Sequence, residues 1–110
     1  MKNIFLLGAT GSIGRSALEV IEANAQDFNL VGIAYDKNHI EAKAIINKHN
    51  PKFIFSQSKE SKQKGKLGAS KLLNRYISSA RVDVVISGIS GFAGLDSTFQ
   101  AIKSGKTVLL

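Results

Sequence analysis

Apolar residues alternate along this chain between short continuous runs and longer stretches in which they recur every three or four positions. A short continuous run suits a strand that is buried on both faces of a parallel sheet. Such runs predict five strands, at residues 4–7, 30–34, 53–55, 82–87 and 107–110. Apolar spacing of three and four predicts helices after residue 12, over residues 40–46, over residues 72–77 and through residues 99–102.

Turn and capping residues separate these elements. Asn24 and the three residues after it end the first helix, Pro51 lies just beyond the second, and Gly105 ends the last. Because strands and helices alternate, and because parallel strands need crossover connections, the sequence predicts an α/β fold. We expect a doubly wound parallel sheet, Rossmann-like, in a single domain over residues 1–110 that is truncated after the fifth strand.

The chain is basic, with a formal net charge of +7. Five of its lysines lie in residues 59–71, among Ser, Gln and Gly. We interpret this stretch as a solvated surface connection that interrupts the helical pattern. A protein that reads nucleic acid would offer stacking aromatic residues or a recognition helix there, so we expect no nucleic-acid partner.

Composition narrows the chemistry further. The absence of cysteine excludes disulfides and thiolate metal sites, and His39 and His49 lie in polar, helix-like surroundings, so we expect no metal site in this chain. The apolar run that ends at Gly8 is too short for a signal-peptide core or a membrane span. We therefore expect a cytoplasmic protein without a membrane partner.

A glycine-rich loop follows the first predicted strand and opens the first helix. It reads Gly8-Ala9-Thr10-Gly11-Ser12-Ile13-Gly14. In this context the first glycine allows a sharp turn, the second lets the backbone approach a pyrophosphate, and the third permits close packing of helix on strand. The helix amides then face the anion. The loop predicts a dinucleotide site, although a turn that is glycine-rich only for packing is the alternative, and the spacing is GxxGxxG rather than GxGxxG.

The end of the second strand carries Asp36, Lys37 and Asn38, which favour different cofactors. An acidic residue here commonly binds the ribose 2′-hydroxyl of NAD, whereas cationic groups accommodate the 2′-phosphate of NADP. Asp36 lies 22 positions after Gly14, close to the spacing expected of an NAD selector, yet Lys37 stands next to it. Formation of the turn, or capping of the next helix, is the alternative role for Asp36.

A second glycine-rich segment, residues 88–95, follows the fourth predicted strand. The carboxyl end of that strand should reach the same crevice as the first loop, so Gly88 and Ile89 are candidates to line the nicotinamide side of a cofactor. A close-packed turn between strand and helix explains the same residues, and the segment alone favours neither interpretation.

Together the three segments resemble the 1-deoxy-D-xylulose 5-phosphate reductoisomerase family in composition, order and mutual spacing. The family typically has Gly-Ser-Thr-Gly-Ser-Ile-Gly at residues 8–14 and Gly-Lys-Asn at residues 36–38. It also has a Val-Gly-Ala-Ala-Gly-Leu-like turn at residues 88–95, and a helix ending that Ser104-Gly105-Lys106-Thr107 matches closely. Residues 56–81 carry almost no resemblance.

The resemblance implies an NADPH-dependent enzyme of isoprenoid-precursor synthesis. Such an enzyme rearranges 1-deoxy-D-xylulose 5-phosphate and reduces it to 2-C-methyl-D-erythritol 4-phosphate with a divalent metal, Mg or Mn. The pyrophosphate contacts of the family correspond to Thr10, Gly11, Ser12 and Ile13. The contacts at the 2′-phosphate correspond to Lys37 and Asn38, whereas Asp36 replaces the usual glycine, so we expect only a modest preference for NADPH.

Later motifs of the family are absent from these 110 residues. They are an Asn-Lys-Glu run after the fifth strand, the metal carboxylates and the substrate-phosphate site. We therefore expect an NADP(H)-binding domain that has no catalytic residue, binds no metal and is inactive by itself, without the family's catalytic and C-terminal domains. The phosphorylated sugar and the metal would bind only with those domains, and the full-length enzyme is expected to be a homodimer.

Two other interpretations stay open. One is the cofactor domain of a different NAD(P) oxidoreductase, although the chain has neither the Tyr-x-x-x-Lys pair of short-chain dehydrogenases nor the catalytic cysteine of the aspartate-semialdehyde type. The other is a basic, non-enzymatic module that binds nucleic acid or an acidic partner.

Overall fold

A computed structural model describes residues 1–88 and 104–109 of the chain. In chain order the elements are β1 (Lys2–Leu7), α1 (Ser12–Ala23), β2 (Phe28–Tyr35), α2 (His39–His49), β3 (Phe53–Ser56), α3 (Gln57–Ile77), β4 (Val84–Ser87) and β5 (Thr107–Leu109). The five predicted strands and the first two predicted helices are confirmed. The helix predicted through residues 99–102 and the glycine-rich segment after Gly88 lie outside the described residues.

The strands form one parallel sheet in the order β3-β2-β1-β4-β5. The chain therefore winds outward from β1 in one direction through β2 and β3, and in the other through β4 and β5. This is the doubly wound, Rossmann-like arrangement that the sequence predicts. In such sheets a ligand binds at the carboxyl ends of the strands, where the winding reverses, which is here between β1 and β4.

Helices cover both faces of the sheet, so the core has two halves. On one face, Leu18 and Ile21 of α1 are buried with Ile45 of α2 against β1 and β2. On the other face, Leu73 and Ile77 of α3 are buried against the opposite side chains of the same strands. Strands that are buried on both sides explain why their sequences are continuous apolar runs.

A bulge in β2 sets which of its side chains face α1 and α2. Ile4 pairs with Leu30, but Phe5 pairs with Gly32, so the pairing skips one residue of β2. The extra residue places Leu30 and Ile33 on the same face of the sheet, although three positions separate them. The same shift brings Tyr35 to the carboxyl edge on the α2 side of the sheet.

The lysine-rich stretch differs from its prediction. It belongs to α3 and is helical except at Gly65, where φ is 76° and ψ is 169°. All three buried residues of α3, namely Ala69, Leu73 and Ile77, lie after Gly65, so the lysine-rich half has no apolar periodicity from which a helix could be predicted. The interpretation as a connection is therefore wrong, while the lysines along it are exposed as expected.

Within residues 1–88 and 104–109, no helix is both long enough and apolar enough to cross a membrane.

Candidate dinucleotide-binding site

A cleft of about 380 Å³ opens at the carboxyl edge of the sheet. It is lined by residues from four strand ends and from α3: Gly8, Thr10, Gly11, Ala34, Tyr35, Asp36, Phe55, Gln57, Leu73 and Gly88. Each of the three segments singled out in the sequence contributes to this lining. The fold therefore brings them together at the place where doubly wound sheets bind dinucleotides.

The loop between β1 and α1 turns at Gly8 and is hydrogen-bonded to β2. Gly8 has a φ of 80°, in the left-handed region that favours glycine. The N–H groups of Gly8 and Ala9 both donate to the carbonyl oxygen of Ala34, at 2.8 and 3.0 Å, and the Gly11 N–H donates to the Gly8 oxygen at 3.1 Å. Backbone hydrogen bonds thus fix the loop at the mouth of the cleft.

Gly14 and Gly11 lack side chains for different reasons. A Cβ at Gly14 would lie 2.6 Å from the Ala9 oxygen, so α1 can pack on the loop only if residue 14 is glycine. At Gly11, φ is −84° and ψ is 178°, which any residue can adopt, and a Cβ would lie 3.5 Å from the Gly8 oxygen, an ordinary contact. Neither the conformation nor the packing of the described residues requires glycine at position 11.

The first turn of α1 is open to an anion. Gly11 is the N-cap and provides no side chain for the first amides of the helix, and this turn contains no acidic residue. Ser12 and Ile13 are exposed there, directly after Thr10 and Gly11 of the cleft lining. The positive end of the helix dipole therefore lies at the cleft without a capping carboxylate or hydroxyl.

The three predicted site residues in the turn between β2 and α2 have different environments. Asp36 belongs to the cleft lining, and its backbone oxygen accepts hydrogen bonds from the hydroxyls of Ser56 and Ser58 at 3.0 and 2.9 Å. Lys37 is exposed and has no ion pair within the described part of the chain. Asn38 caps α2, since its Oδ1 accepts a hydrogen bond from the Glu41 N–H at 3.2 Å.

An ion pair beside this turn is missed by sequence reasoning. Arg15 donates from Nε to Glu41 Oε1 at 2.8 Å and from Nη2 to Glu41 Oε2 at 3.0 Å, while Asn38 Nδ2 donates to the same Oε2 at 3.1 Å. The hydrogen bond from Arg15 lowers the pKa of Glu41, and the carboxylate in turn raises the pKa of Arg15. The partners lie on different helices, so no rule based on helical spacing finds them.

Five further residues of the cleft lining were not predicted to belong to the site: Ala34, Tyr35, Phe55, Gln57 and Leu73. Phe55 and Gln57 could have been found, because the third predicted strand ends at the same edge of the sheet as the first two. Leu73 reaches the cleft from α3, and nothing in the sequence indicates this. The Tyr35 hydroxyl lies 3.1 Å from His39 Nδ1, which gives this histidine a partner within the turn.

Gly88 joins the cleft from β4. Its N–H donates to the Leu7 oxygen at 2.8 Å, and a Cβ there would lie 3.3 Å from the Cβ of Ile13 in α1. The close approach to α1 supports the packing role that the sequence left open for Gly88, while its place in the lining keeps the binding role open. Ile89 lies outside the described residues.

Comparison with known proteins identifies the family. The family model described as 1-deoxy-D-xylulose 5-phosphate reductoisomerase matches residues 4–110. The chain belongs to this reductoisomerase family. The reductoisomerase of Bacillus subtilis (strain 168) is 35% identical over an alignment of 121 residues. The alignment covers 100% of this chain and 31% of that protein. The chain thus spans about three tenths of the length of the curated relatives it matches.

Solved reductoisomerase structures share the fold. A DOX-P reductoisomerase in complex with NADPH, fosmidomycin and magnesium matches with a TM-score of 0.86 and 26% identity, over 100% of this chain and 30% of that one. The reductoisomerase of Zymomonas mobilis in complex with NADPH matches with a TM-score of 0.79 and 27% identity, over 97% of this chain and 31% of that one. The resemblance stated from the sequence is confirmed.

Proposed function

We propose that residues 1–110 form an NADP(H)-binding domain of a 1-deoxy-D-xylulose 5-phosphate reductoisomerase. The observation that carries the proposal concerns Gly11. Neither the backbone conformation at this position nor the packing of the described residues around it requires a glycine. Because Gly11 has no side chain, the backbone at the uncapped N-terminus of α1 is accessible from the cleft. The cleft lies at the carboxyl edge of the sheet, where the winding reverses. A pyrophosphate needs such an approach to backbone amides.

Three parts of the dinucleotide are assigned along the cleft. The pyrophosphate lies at the β1–α1 loop, next to Gly8, Thr10 and Gly11 and to the backbone amides of Ser12 and Ile13. Gly14 allows α1 to pack closely on this loop. The adenosine ribose lies toward Asp36, Lys37 and Asn38. The nicotinamide lies toward Gly88, and Ile89, the other residue expected there, lies outside the described residues. Two solved structures of family members are complexes with NADPH, which supports the choice of this dinucleotide.

The preferred cofactor is NADPH, and the preference over NADH is modest. Lys37 is exposed beside the cleft and provides a cation for the 2′-phosphate. Asp36, which belongs to the lining, opposes the same phosphate by charge repulsion. The Asn38 side chain is engaged in capping α2, so its contribution would come from the remaining capacity of its amide or from its backbone.

The reaction of the whole protein is part of the proposal: rearrangement of 1-deoxy-D-xylulose 5-phosphate and NADPH-dependent reduction, in isoprenoid-precursor synthesis in the cytoplasm. NADPH supplies the hydride when bound, and this chain holds the dinucleotide and orients its nicotinamide. The described residues contain no group of three His, Cys, Asp or Glu side chains that could hold a metal ion. We therefore assign the divalent metal, the phosphorylated sugar and the homodimer contacts to the remainder of such an enzyme.

A calorimetric titration of the 110-residue chain with NADPH tests the proposal. We expect saturable one-to-one binding, with NADH competing for the same site at higher concentration. A chain that binds neither dinucleotide but retards DNA of any sequence in a gel shift, with steep salt dependence, would instead be the basic binding module.

A further inference from the structure

Arg15 lies beside the turn between β2 and α2. Its guanidinium and the Asn38 amide both donate to the carboxylate of Glu41, so one shared acceptor links Arg15 to the residue that follows Lys37. Glu41 lies in the first turn of α2, and Arg15 lies in α1, one turn after Gly11. The guanidinium is therefore held between the amino-terminal parts of α1 and α2, which directly follow the two loops that the proposed function assigns to the pyrophosphate and to the adenosine ribose.

The geometry of the pair leaves part of the guanidinium available. Glu41 takes the edge formed by Nε and Nη2, at 2.8 and 3.0 Å. An arginine has five N–H donors, and its second fork, formed by Nη1 and Nη2, matches the oxygens of a phosphate. The side chain of Arg15 is 62% exposed, so this second fork needs no large rearrangement to meet a ligand.

The charges at the ribose end of the cleft favour a second cation beside the 2′-phosphate. The Asp36 carboxylate at the ribose end opposes a 2′-phosphate, and Lys37 next to it provides a single positive charge. Of the three arginines in the chain, Arg75 lies in the last turn of α3 and Arg81 lies shortly before β4, toward the amino ends of the strands. Arg15 is the arginine that lies at the carboxyl edge.

We propose that Arg15, positioned by Glu41, is a specificity-determining residue that binds the 2′-phosphate of NADPH through its free fork. The inference rests on the proposed function and adds to it a residue on α1 that the resemblance does not assign. With Lys37 it makes two cations beside the carboxylates of Asp36 and Glu41, of which Glu41 is already paired with the guanidinium. Binding of NADPH in preference to NADH should then depend on Arg15.

Lys48 offers a matched control. It pairs with Glu22 at 2.8 Å, also links α2 to α1, and is 64% exposed, but it lies at the far ends of the two helices. The variants Arg15→Gln and Lys48→Gln each lose one positive charge and one pair between these helices. Dissociation constants for NADPH and NADH, measured by calorimetry on the parent and on both variants, separate a local contact from a general charge effect.

We expect Arg15→Gln to weaken NADPH binding about tenfold and to change NADH binding less than about twofold, as for loss of a charge-assisted contact. Lys48→Gln should change neither affinity by more than about twofold. Arg15→Lys, which keeps the charge beside Glu41 but loses the second fork, should lose part of the NADPH affinity. Circular dichroism melts establish that each variant is folded.

Equal weakening of NADPH and NADH in Arg15→Gln would overturn the assignment, because both cofactors share everything but the 2′-phosphate. Parent-like NADPH affinity in a folded Arg15→Lys or Arg15→Gln variant would overturn it as well. If the parent binds both dinucleotides and only the Arg15 dependence is missing, the proposed function survives and this inference fails. If the parent binds neither, both fail.

Discussion

Gly11 and Gly14 stand three positions apart, and the fold needs only Gly14 to be glycine. We predict that Gly11→Val abolishes binding of NADPH and NADH because the added side chain fills the space through which a pyrophosphate approaches the backbone. The free energy of unfolding should fall by at most about 1 kcal/mol, since valine is a poorer N-cap than glycine. Calorimetry and urea unfolding measure the two effects separately.

Gly14→Ala is the companion variant for this test. Its Cβ would lie 2.6 Å from the backbone oxygen of Ala9, so the chain must shift, at a cost typical of overpacking, about 1–3 kcal/mol. If Gly11→Val bound NADPH as tightly as the parent, the loop would be glycine-rich for packing alone, and the assignment of the pyrophosphate would be lost.

Asp36 and Lys37 act in opposite directions on the second phosphate. We predict that Lys37→Ala weakens NADPH binding by about 1.5 kcal/mol or less, because the side chain is exposed. Binding of NADH should not change. Asp36→Gly should strengthen NADPH binding, since it removes a carboxylate from the cleft lining. Competition titrations with the two cofactors measure both changes. Should Asp36→Gly weaken NADH while NADPH is unchanged, Asp36 would be the ligand of the ribose 2′-hydroxyl and the assignment of NADP would be withdrawn.

Among the elements, the strands and the end of α3 over residues 72–77 were predictable, and the half of α3 before Gly65 was not. The strands are buried by helices on both sides, so each is a continuous apolar run that a local pattern can find. In α3 the half before Gly65 has no buried residue, and it is helical only as an extension of the capped start at Ser56, whose hydroxyl accepts from the Lys59 N–H at 3.3 Å. The Ser56 cap is a local signal that apolar spacing does not detect, and the attachment to β3 is tertiary information.

Gly65 allows α3 to bend, and its backbone conformation predicts the effect of replacing it. A φ of 76° with a ψ of 169° lies in a region that is nearly restricted to glycine, so Gly65→Ala should destabilise the fold by about 1–3 kcal/mol. A Cβ there meets nothing within 4 Å, so the cost would be conformational and not steric. Urea unfolding measures it, with exposed Gln63→Ala as the control. A gain in stability, as for an ordinary helical glycine, would mean that α3 is straight at this point.

The pairs that join α1 to α2 carry a pH dependence. Hydrogen bonds from Lys48 and His49 lower the pKa of Glu22 from its ordinary value of 4.5. A carboxyl group whose pKa is lower in the folded state stabilises the fold above the unfolded-state value and loses that contribution as the pH falls through the folded-state pKa. Glu22→Gln should therefore lower the free energy of unfolding slightly at neutral pH, and this difference from the parent should shrink as the pH falls below 4.5.

Chemical denaturation of the parent and of Glu22→Gln at about pH 7 and about pH 3 checks this expectation. Glu19→Gln, on the same helix, is the control, because Glu19 is exposed and has no ion pair within the described residues. A difference between parent and Glu22→Gln that persists unchanged at the lower pH would show that the side chain acts through packing and not through its charge.

For the molecule as a whole, sequence reasoning found the parts of the site that follow β1, β2 and β4, but not those at the end of β3. Gly8, Asp36 and Gly88 follow β1, β2 and β4, so the parallel topology alone places them at one edge. It missed Leu73 and the pair of Arg15 with Glu41, which come together only because α1, α2 and α3 pack on the sheet as they do. Contacts between helices that are distant in sequence leave no local pattern.

We expect the isolated chain to bind the cofactor without catalysing the reaction. The described residues offer no group of three potential metal ligands, and the chain spans 31% of its Bacillus subtilis relative. We predict that the 110-residue chain, saturated with NADPH in the presence of magnesium, does not consume NADPH when 1-deoxy-D-xylulose 5-phosphate is added. Enzymes owe much of their acceleration to holding both reactants in register, and we assign to this chain a site for the dinucleotide alone. NADPH absorbance is the measurement, and the Bacillus subtilis enzyme in the same assay is the positive control. Substrate-dependent NADPH consumption that persists through purification and disappears in Gly11→Val would contradict the prediction and place a catalytic group within these residues.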